Sequence, residues 1–116
     1  MQHFFKNLDY ATPLPLAAQV DCRPGQIASK TLVQNPAVGL TLFAFDAGEE
    51  ISSHTSTGDA LVQVLEGALE VTIAGTTQPV RAGEVIVMPA GQPHAVRAVE
   101  RSAMLLTVVF APQAGE

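Results

Sequence analysis

GEEISSHTSTGDALVQVLEG, residues 48–67, is the stretch that decides how the whole chain is interpreted. It begins and ends with glycine, which adopts the positive φ of tight turns without steric cost. Between the glycines, a short polar segment carrying His54 leads into the apolar run from Ala60 to Leu65. Side chains of a strand alternate between two faces, so a run of this length is typical of a strand with one buried face. The stretch therefore predicts two short strands joined by a polar loop.

The rest of the chain shows the same pattern of short apolar segments separated by turn-forming residues. Glycine and proline recur about every eight to twelve residues, and Val, Ile, Leu and Thr fill the intervals, which is typical of a sandwich or barrel of short strands. The predicted strands are residues 26–34, 38–45, 50–54, 60–66, 68–74, 77–80, 85–88, 94–99 and 103–110. Residues 1–24, with Pro13 and Pro15, are predicted to form an N-terminal arm with one short helical turn near residues 4–8. Residues 25–116 are predicted to form the barrel domain.

Composition excludes several classes of protein. The chain has 116 residues, 47% of them apolar and 15% charged, which predicts one packed domain. Its net charge is −5 and its six Lys and Arg are scattered, which argues against binding to nucleic acid or to an anionic membrane. The single Cys22 cannot form an intrachain disulfide, and we find no signal peptide and no apolar run of about 20 residues. These features predict a cytoplasmic protein.

The segment AMLLTVVF, residues 103–110, predicts association between copies of the chain. It shows no clean alternation of polar and apolar residues, so both of its faces are expected to be covered. In so small a domain the second cover is expected to be another subunit, because an uncovered apolar strand is an aggregation hazard. A homodimer is therefore predicted, with the N-terminal arm reaching across to the second copy.

Two segments resemble the characteristic motifs of the cupins, which are small double-stranded β-helix barrels. The first cupin motif reads Gly, five residues, His, one residue, His, three or four residues, Glu, six residues, Gly. Gly48, His54 and Gly67 match that spacing. The second reads Gly, five residues, Pro, one residue, Gly, two residues, His, three residues, Asn, and its matches in GEVIVMPAGQPHAVRA are Gly83, Pro89, Gly91 and His94. The resemblance implies an all-β, cupin-like jelly-roll barrel.

The resemblance also implies a metal site, from which this sequence departs. In the cupin pattern a second His, a Glu and an Asn stand where this chain has Ser56, Ala60 and Ala98. Because residues two apart share a face of a strand, position 56 is expected to point into the barrel with His54. His94 is expected to enter the same space from a neighbouring strand. The barrel is therefore predicted to be retained without the usual four-ligand centre.

The predicted ligand pocket is lined by His54, Ser56, Ala60, Val62 and His94. Three states of the two imidazoles remain open: a hydrogen-bonded neutral pair, direct contact with an organic ligand, or a shared divalent metal. Such a metal (Zn, Ni, Fe or Mn) would be weakly held, with water or ligand oxygen completing its shell, and would be released as the imidazoles protonate near pH 6.5.

The function predicted from these residues is a barrel that binds a small organic molecule. The alternative is a metal-dependent cupin enzyme of the dioxygenase or isomerase type, which would need Asp59, water or substrate as a further ligand. A purely structural role would leave two buried imidazoles unexplained. Gln63 is expected on the strand face opposite Ala60 and Val62, where it would serve a neighbouring strand or a subunit interface rather than a ligand.

Overall fold

The computed structural model of the chain describes residues 3–112. Within that range it forms nine β-strands and one short 3₁₀ helix, Leu16–Gln19. The strands, numbered β1 to β9 along the chain, are Ile27–Gln34, Val38–Phe45, Glu50–His54, Asp59–Glu66, Ala68–Ile73, Thr76–Arg81, Val85–Met88, His94–Ala98 and Ser102–Val109. Every predicted strand is present, and its ends agree with the prediction to within about one residue.

Two antiparallel sheets build the barrel. The five-stranded sheet has the order β1-β2-β9-β4-β7, and the four-stranded sheet has the order β3-β8-β5-β6. All strand pairs are antiparallel, which confirms the predicted all-β jelly-roll barrel. No helix in the part of the chain that the structure describes is long and apolar enough to cross a membrane.

The space between the sheets is filled with apolar side chains. Ala60, Val62 and Val64, at alternate positions of β4, are 2%, 0% and 1% exposed. Gln63 lies between them on the opposite face and is exposed, as the alternation predicts. The other core residues come from both sheets and include Phe45, Leu69, Val71, Val80, Met88, Val96, Ala98 and Met104. One continuous apolar core therefore holds the two sheets together.

The N-terminal arm covers the outer face of the five-stranded sheet. Leu8, Leu16 and Val20 pack against a second apolar cluster that contains Leu32 and Leu42. Leu105 of β9 packs against the same cluster. Part of the cover that the sequence led us to expect from a second subunit is thus supplied by the arm of the same chain.

The helical turn predicted near residues 4–8 is wrong. The main-chain N–H of Lys6 donates to the carbonyl of Leu32 in β1, at 2.9 Å, and Asn7 has a φ of +64°. A left-handed residue and a bond to a distant strand both prevent a local helical turn. The one short helical segment lies at Leu16–Gln19 instead, directly after Pro15.

Candidate functional site

The two histidines that the motifs single out meet across a pair of strands. His54 ends β3, His94 begins β8, and the two residues lie directly opposite each other in the antiparallel ladder. The register shifts between Ile51 and His54, as in a β-bulge. A bulge redirects the side chains that follow it, and here it accompanies the contact between the two rings. The predicted convergence of these two residues is therefore present in the structure.

The contact between the rings has a defined proton arrangement. Nε2 of His54 and Nε2 of His94 are 3.1 Å apart, and the rings lie edge to face with an interplanar angle of 78°. Nδ1 of His54 is 2.9 Å from the carbonyl oxygen of Ser52, which can only accept a hydrogen bond. When both rings are neutral, His54 therefore carries its proton on Nδ1, and His94 donates its Nε2–H to Nε2 of His54.

This arrangement leaves one nitrogen of His94 without a partner. His94 is 2% exposed, and its Nδ1 is buried with no hydrogen-bond partner among residues 3–112. Burial lowers the pKa of His94, and the neighbouring His54 lowers this pKa further. The main-chain carbonyl of Gln92 raises the pKa, but by less than these two effects lower it. His94 is therefore neutral at pH 7. Its Nδ1 presents a lone pair that a donor group on a ligand or a water molecule could satisfy.

The other predicted pocket residues lie in different environments. Ser56 is half-buried, and its hydroxyl accepts a hydrogen bond from the main-chain N–H of Gly58, at 3.2 Å. Ala60 and Val62 belong to the apolar core between the sheets. The structure thus brings the two histidines into contact, places Ser56 in the loop that follows β3, and packs Ala60 and Val62 in the interior. The five-residue pocket as a whole stays a prediction.

Two contacts that position the histidines were not predicted from the sequence. The carbonyl of Ser52 orients the ring of His54, and no sequence signal identifies it because every residue has a carbonyl. The carboxylate of Asp59 accepts a hydrogen bond from the main-chain N–H of Ala90, at 2.9 Å, which ties the start of β4 to the loop that leads into His94. Asp59 is exposed and holds this loop in place.

A metal centre with three or four protein ligands does not fit these residues. Ala60 and Ala98 have no donor atom, and the hydroxyl of Ser56 is already bonded to Gly58. Among the described residues, no group of three or more His, Cys, Asp or Glu side chains could hold a metal ion. Only attachment through two imidazoles is compatible with the geometry. The residues that would hold such a metal are His54 and His94, through their Nε2 atoms, which are 3.1 Å apart.

Surface cavities formed by residues 3–112 lie away from the histidine pair, and we compared four of them. The largest of these four, of about 480 Å³, lies beside the turn between β1 and β2 and is lined by Gln34, Asn35, Pro36, Thr57, Phe110 and Ala111. It has no ionisable side chain in its lining, and neither histidine lines any of these four cavities. Chemistry rather than cavity volume therefore identifies the histidine pair as the candidate site.

Two known structures resemble this chain over more than nine tenths of its length. A conserved protein of unknown function from Streptococcus pyogenes is 44% identical, with a TM-score of 0.93 over 97% of this chain and 98% of that chain. A cupin superfamily protein from Desulfitobacterium hafniense is 32% identical, with a TM-score of 0.88 over 92% of this chain and 98% of that one. None of the curated proteins matches this chain significantly.

A more distant structure shows the fold alone. The salicylate 1,2-dioxygenase from Pseudoaminobacter salicylatoxidans is 23% identical, with a TM-score of 0.67 over 75% of this chain and 26% of that chain. The family profile described as the cupin domain matches residues 41–110, which include both motifs and all strands from β3 to β9. On these matches, and on the barrel described above, the chain belongs to the cupin family.

Proposed function

We propose that this cupin binds a small organic molecule at the histidine pair, His54 and His94. The observation that carries the proposal is the contact between their Nε2 atoms at 3.1 Å, next to a buried Nδ1 of His94 that has no partner among the described residues. A buried polar atom without a hydrogen bond costs about 1–3 kcal/mol. Such an atom lowers the stability of the fold, and groups that lower stability are common at binding sites.

The chemistry of the pair restricts the class of ligand. Nδ1 of His94 is an acceptor in the neutral tautomer, so it suits a hydroxyl or N–H group of the ligand. Ile73 lies opposite His94 on β5, and Ile51 precedes His54 on β3; both are half-buried and apolar. A small molecule with one hydrogen-bond donor and an apolar body would match these neighbours.

Nuclear magnetic resonance of protein labelled with ¹⁵N in its histidines tests this proposal. We would titrate the protein with a set of small organic compounds that carry hydroxyl or N–H groups. Binders are expected to shift the Nδ1 resonance of His94, and to lose at least tenfold in affinity in the His94→Leu variant. His3, which lies in the arm, provides an internal control whose resonances should not move. Binders that leave His94 unchanged, or that bind the variant equally well, would contradict the proposal.

The second candidate is a metal-dependent enzyme of the dioxygenase or isomerase type. The observation that favours it is the separation of the two Nε2 atoms, which suits two ligands of one metal. The Nδ1 of His54 also donates to a carbonyl, as ligating histidines commonly do. The remaining ligands would be water, substrate or Asp59, although the carboxylate of Asp59 is bonded to Ala90.

Metal analysis of protein purified without a histidine tag distinguishes the two candidates. A near-stoichiometric content of Zn, Ni, Fe or Mn that disappears in the His94→Ala variant would favour the enzyme. A protein without metal in either form would leave the binding protein as the better proposal. The cytoplasmic location and the homodimer predicted from the sequence remain predictions.

A further inference from the structure

Three of the four sheet edges carry features that prevent another strand from adding to them. The edge at β1 is bonded to the arm through Lys6 and Leu32. The edge at β6 contains Pro79, which has no N–H to donate. The edge at β3 exposes the polar residues Glu50, Ser52 and Ser53, and its ladder is interrupted by a register shift. Charges, prolines, bulges and covering segments are the usual means by which proteins protect sheet edges.

The fourth edge, β7, has none of these features. Its sequence is Val85-Ile86-Val87-Met88, without charge, proline or bulge, and among the strands of residues 3–112 it pairs only with β4. Val85 and Val87 are 55% and 51% exposed on the outer face of the sheet. An apolar edge of this kind invites pairing with another strand.

The hydrogen bonds of β7 show which main-chain groups are free. The N–H of Val64 donates to the carbonyl of Glu84, at 3.1 Å, and the ladder pairs Val62 with Ile86. Alternate residues of an antiparallel strand bond to opposite neighbours. Ile86 therefore bonds to β4, while the N–H and C=O groups of Val85 and Val87 point away from it. Within residues 3–112, no strand or loop accepts or supplies a bond at these two residues.

We propose that β7 pairs antiparallel with β7 of a second copy of this chain, about a two-fold axis at Ile86. In that register Val85 lies opposite Val87 of the partner subunit, and Val87 lies opposite Val85 of the partner subunit. Each of these two pairs exchanges two main-chain hydrogen bonds, so four bonds form across the axis. The two five-stranded sheets then become one continuous sheet of ten strands.

The charge distribution favours a second copy at this edge. Each chain carries a net charge of −5, so two copies repel each other except where they present an uncharged surface. Glu84 is the charged residue next to β7, and its carboxylate accepts a hydrogen bond from the N–H of Arg81. The proposed register places Glu84 opposite Met88, so the two Glu84 residues lie roughly 13 Å apart along the strand.

The outer face next to β7 extends the same uncharged surface. Leu61 lies beside Val87 and Gln63 lies beside Val85 in the ladder with β4. Gln63 is exposed, and its amide can both donate and accept, so it suits a contact with an identical surface. The proline that follows Met88 ends the ladder, which limits the pairing to these four hydrogen bonds. The proposal does not depend on what the histidine pair binds.

The oligomeric state of two matched variants tests the proposal. We expect the wild-type chain to be a dimer at 50 µM by multi-angle light scattering, and Val87→Lys to be a monomer, because the two lysines would be diagonal neighbours on one face of the joined sheet and would repel each other. Val99→Lys is the control, since Val99 is equally exposed at 53% but lies outside β7. It should remain a dimer. Far-ultraviolet circular dichroism must show that both variants keep the β-sheet spectrum. A monomeric wild type, or a dimeric Val87→Lys, would overturn the proposal.

A cross-linking experiment tests the register itself. In a Cys22→Ser background, the Val85→Cys protein is mixed with the Val87→Cys protein and oxidised. Opposite residues in a hydrogen-bonded pair have Cα atoms about 5.5 Å apart, within the range of a disulfide. The mixture should therefore cross-link several-fold more than either protein alone. Equal cross-linking in all three samples, or a dimer without cross-linking, would place the contact elsewhere and overturn the proposal.

Discussion

The centre of the barrel and the histidine pair are neighbouring regions with opposite properties. In the centre, Val62, Leu69 and Val71 are fully buried among apolar side chains. At the histidine pair, His94 is equally buried but leaves a polar nitrogen without a partner, and His54 is exposed. The first region stabilises the fold by burying apolar side chains, whereas the second contains a buried nitrogen whose missing hydrogen bond costs stability. The contrast separates the residues that stabilise the fold from the pair at which we propose binding.

The largest effect is expected from a change in the centre. Leu69 is among the largest fully buried side chains, and Leu69→Ala should reduce the free energy of unfolding by about 2–5 kcal/mol because it leaves a cavity. Urea denaturation measures this loss. Val99→Ala, at an exposed position, should change the free energy by less than about 0.5 kcal/mol. A loss below 1 kcal/mol for Leu69→Ala would mean that the centre is not the main source of stability.

A smaller effect is expected when the missing imidazole is restored. Ser56→His places a third imidazole at the position where the cupin pattern has one, and should tighten Zn²⁺ binding by about tenfold, or 1.4 kcal/mol. Isothermal titration calorimetry with Zn²⁺ at pH 7.5 measures the affinity. Thr55→His is the control, because the cupin pattern has no metal ligand at position 55. Equal affinity in the two variants would show that position 56 does not face the histidine pair.

The smallest effect is expected from removing the buried imidazole. His94→Leu loses the bond to His54 but also removes the unpartnered Nδ1, so the free energy of unfolding at pH 7 should change by less than about 1 kcal/mol. Urea denaturation at pH 7 measures it. A loss of 3 kcal/mol or more would instead identify His94 as a structural residue, and would weaken the contrast between the two regions.

The stability of the protein is also expected to depend on pH, because the pKa of His94 differs between the folded and unfolded chain. This pKa is lowered in the folded chain, so the unfolded chain binds more protons once the pH falls below about 6.5. The contribution of neutral His94 to the free energy of unfolding is therefore present above pH 6.5 and is lost progressively as the pH falls below that value. Thermal unfolding between pH 5 and 7.5 should show a shallower decrease in His94→Leu. Parallel profiles for the two proteins would contradict the assignment of a buried neutral His94.

The strands were predictable because their signals are local. Alternating apolar residues and the glycines at both ends of the stretch from Gly48 to Gly67 specify strands wherever the chain folds, and all nine were found. The helical turn near residues 4–8 was not predictable, because the bond from Lys6 to Leu32 replaces it. That bond joins positions far apart in the chain, and no local pattern reveals it.

The pairing of the two histidines was predictable, whereas its chemistry was not. Motif spacing pointed to His54 and His94, forty residues apart, as a pair. Their different burial was not visible, because it depends on strand order: β3 is an edge strand, whereas β8 lies between β3 and β5. The tautomers follow from the carbonyl of Ser52, a contact that sequence patterns do not encode.

By itself, the sequence determined the all-β class, the position of each strand and the loss of the usual metal ligands at Ser56, Ala60 and Ala98. Residue type and local periodicity are sufficient for the first two conclusions, and the third follows from the resemblance to the cupin motifs. Only the tertiary structure decided which histidine is buried, which nitrogen lacks a partner and which sheet edge is left open. These properties depend on which strands become neighbours, and that is set by packing over the whole chain.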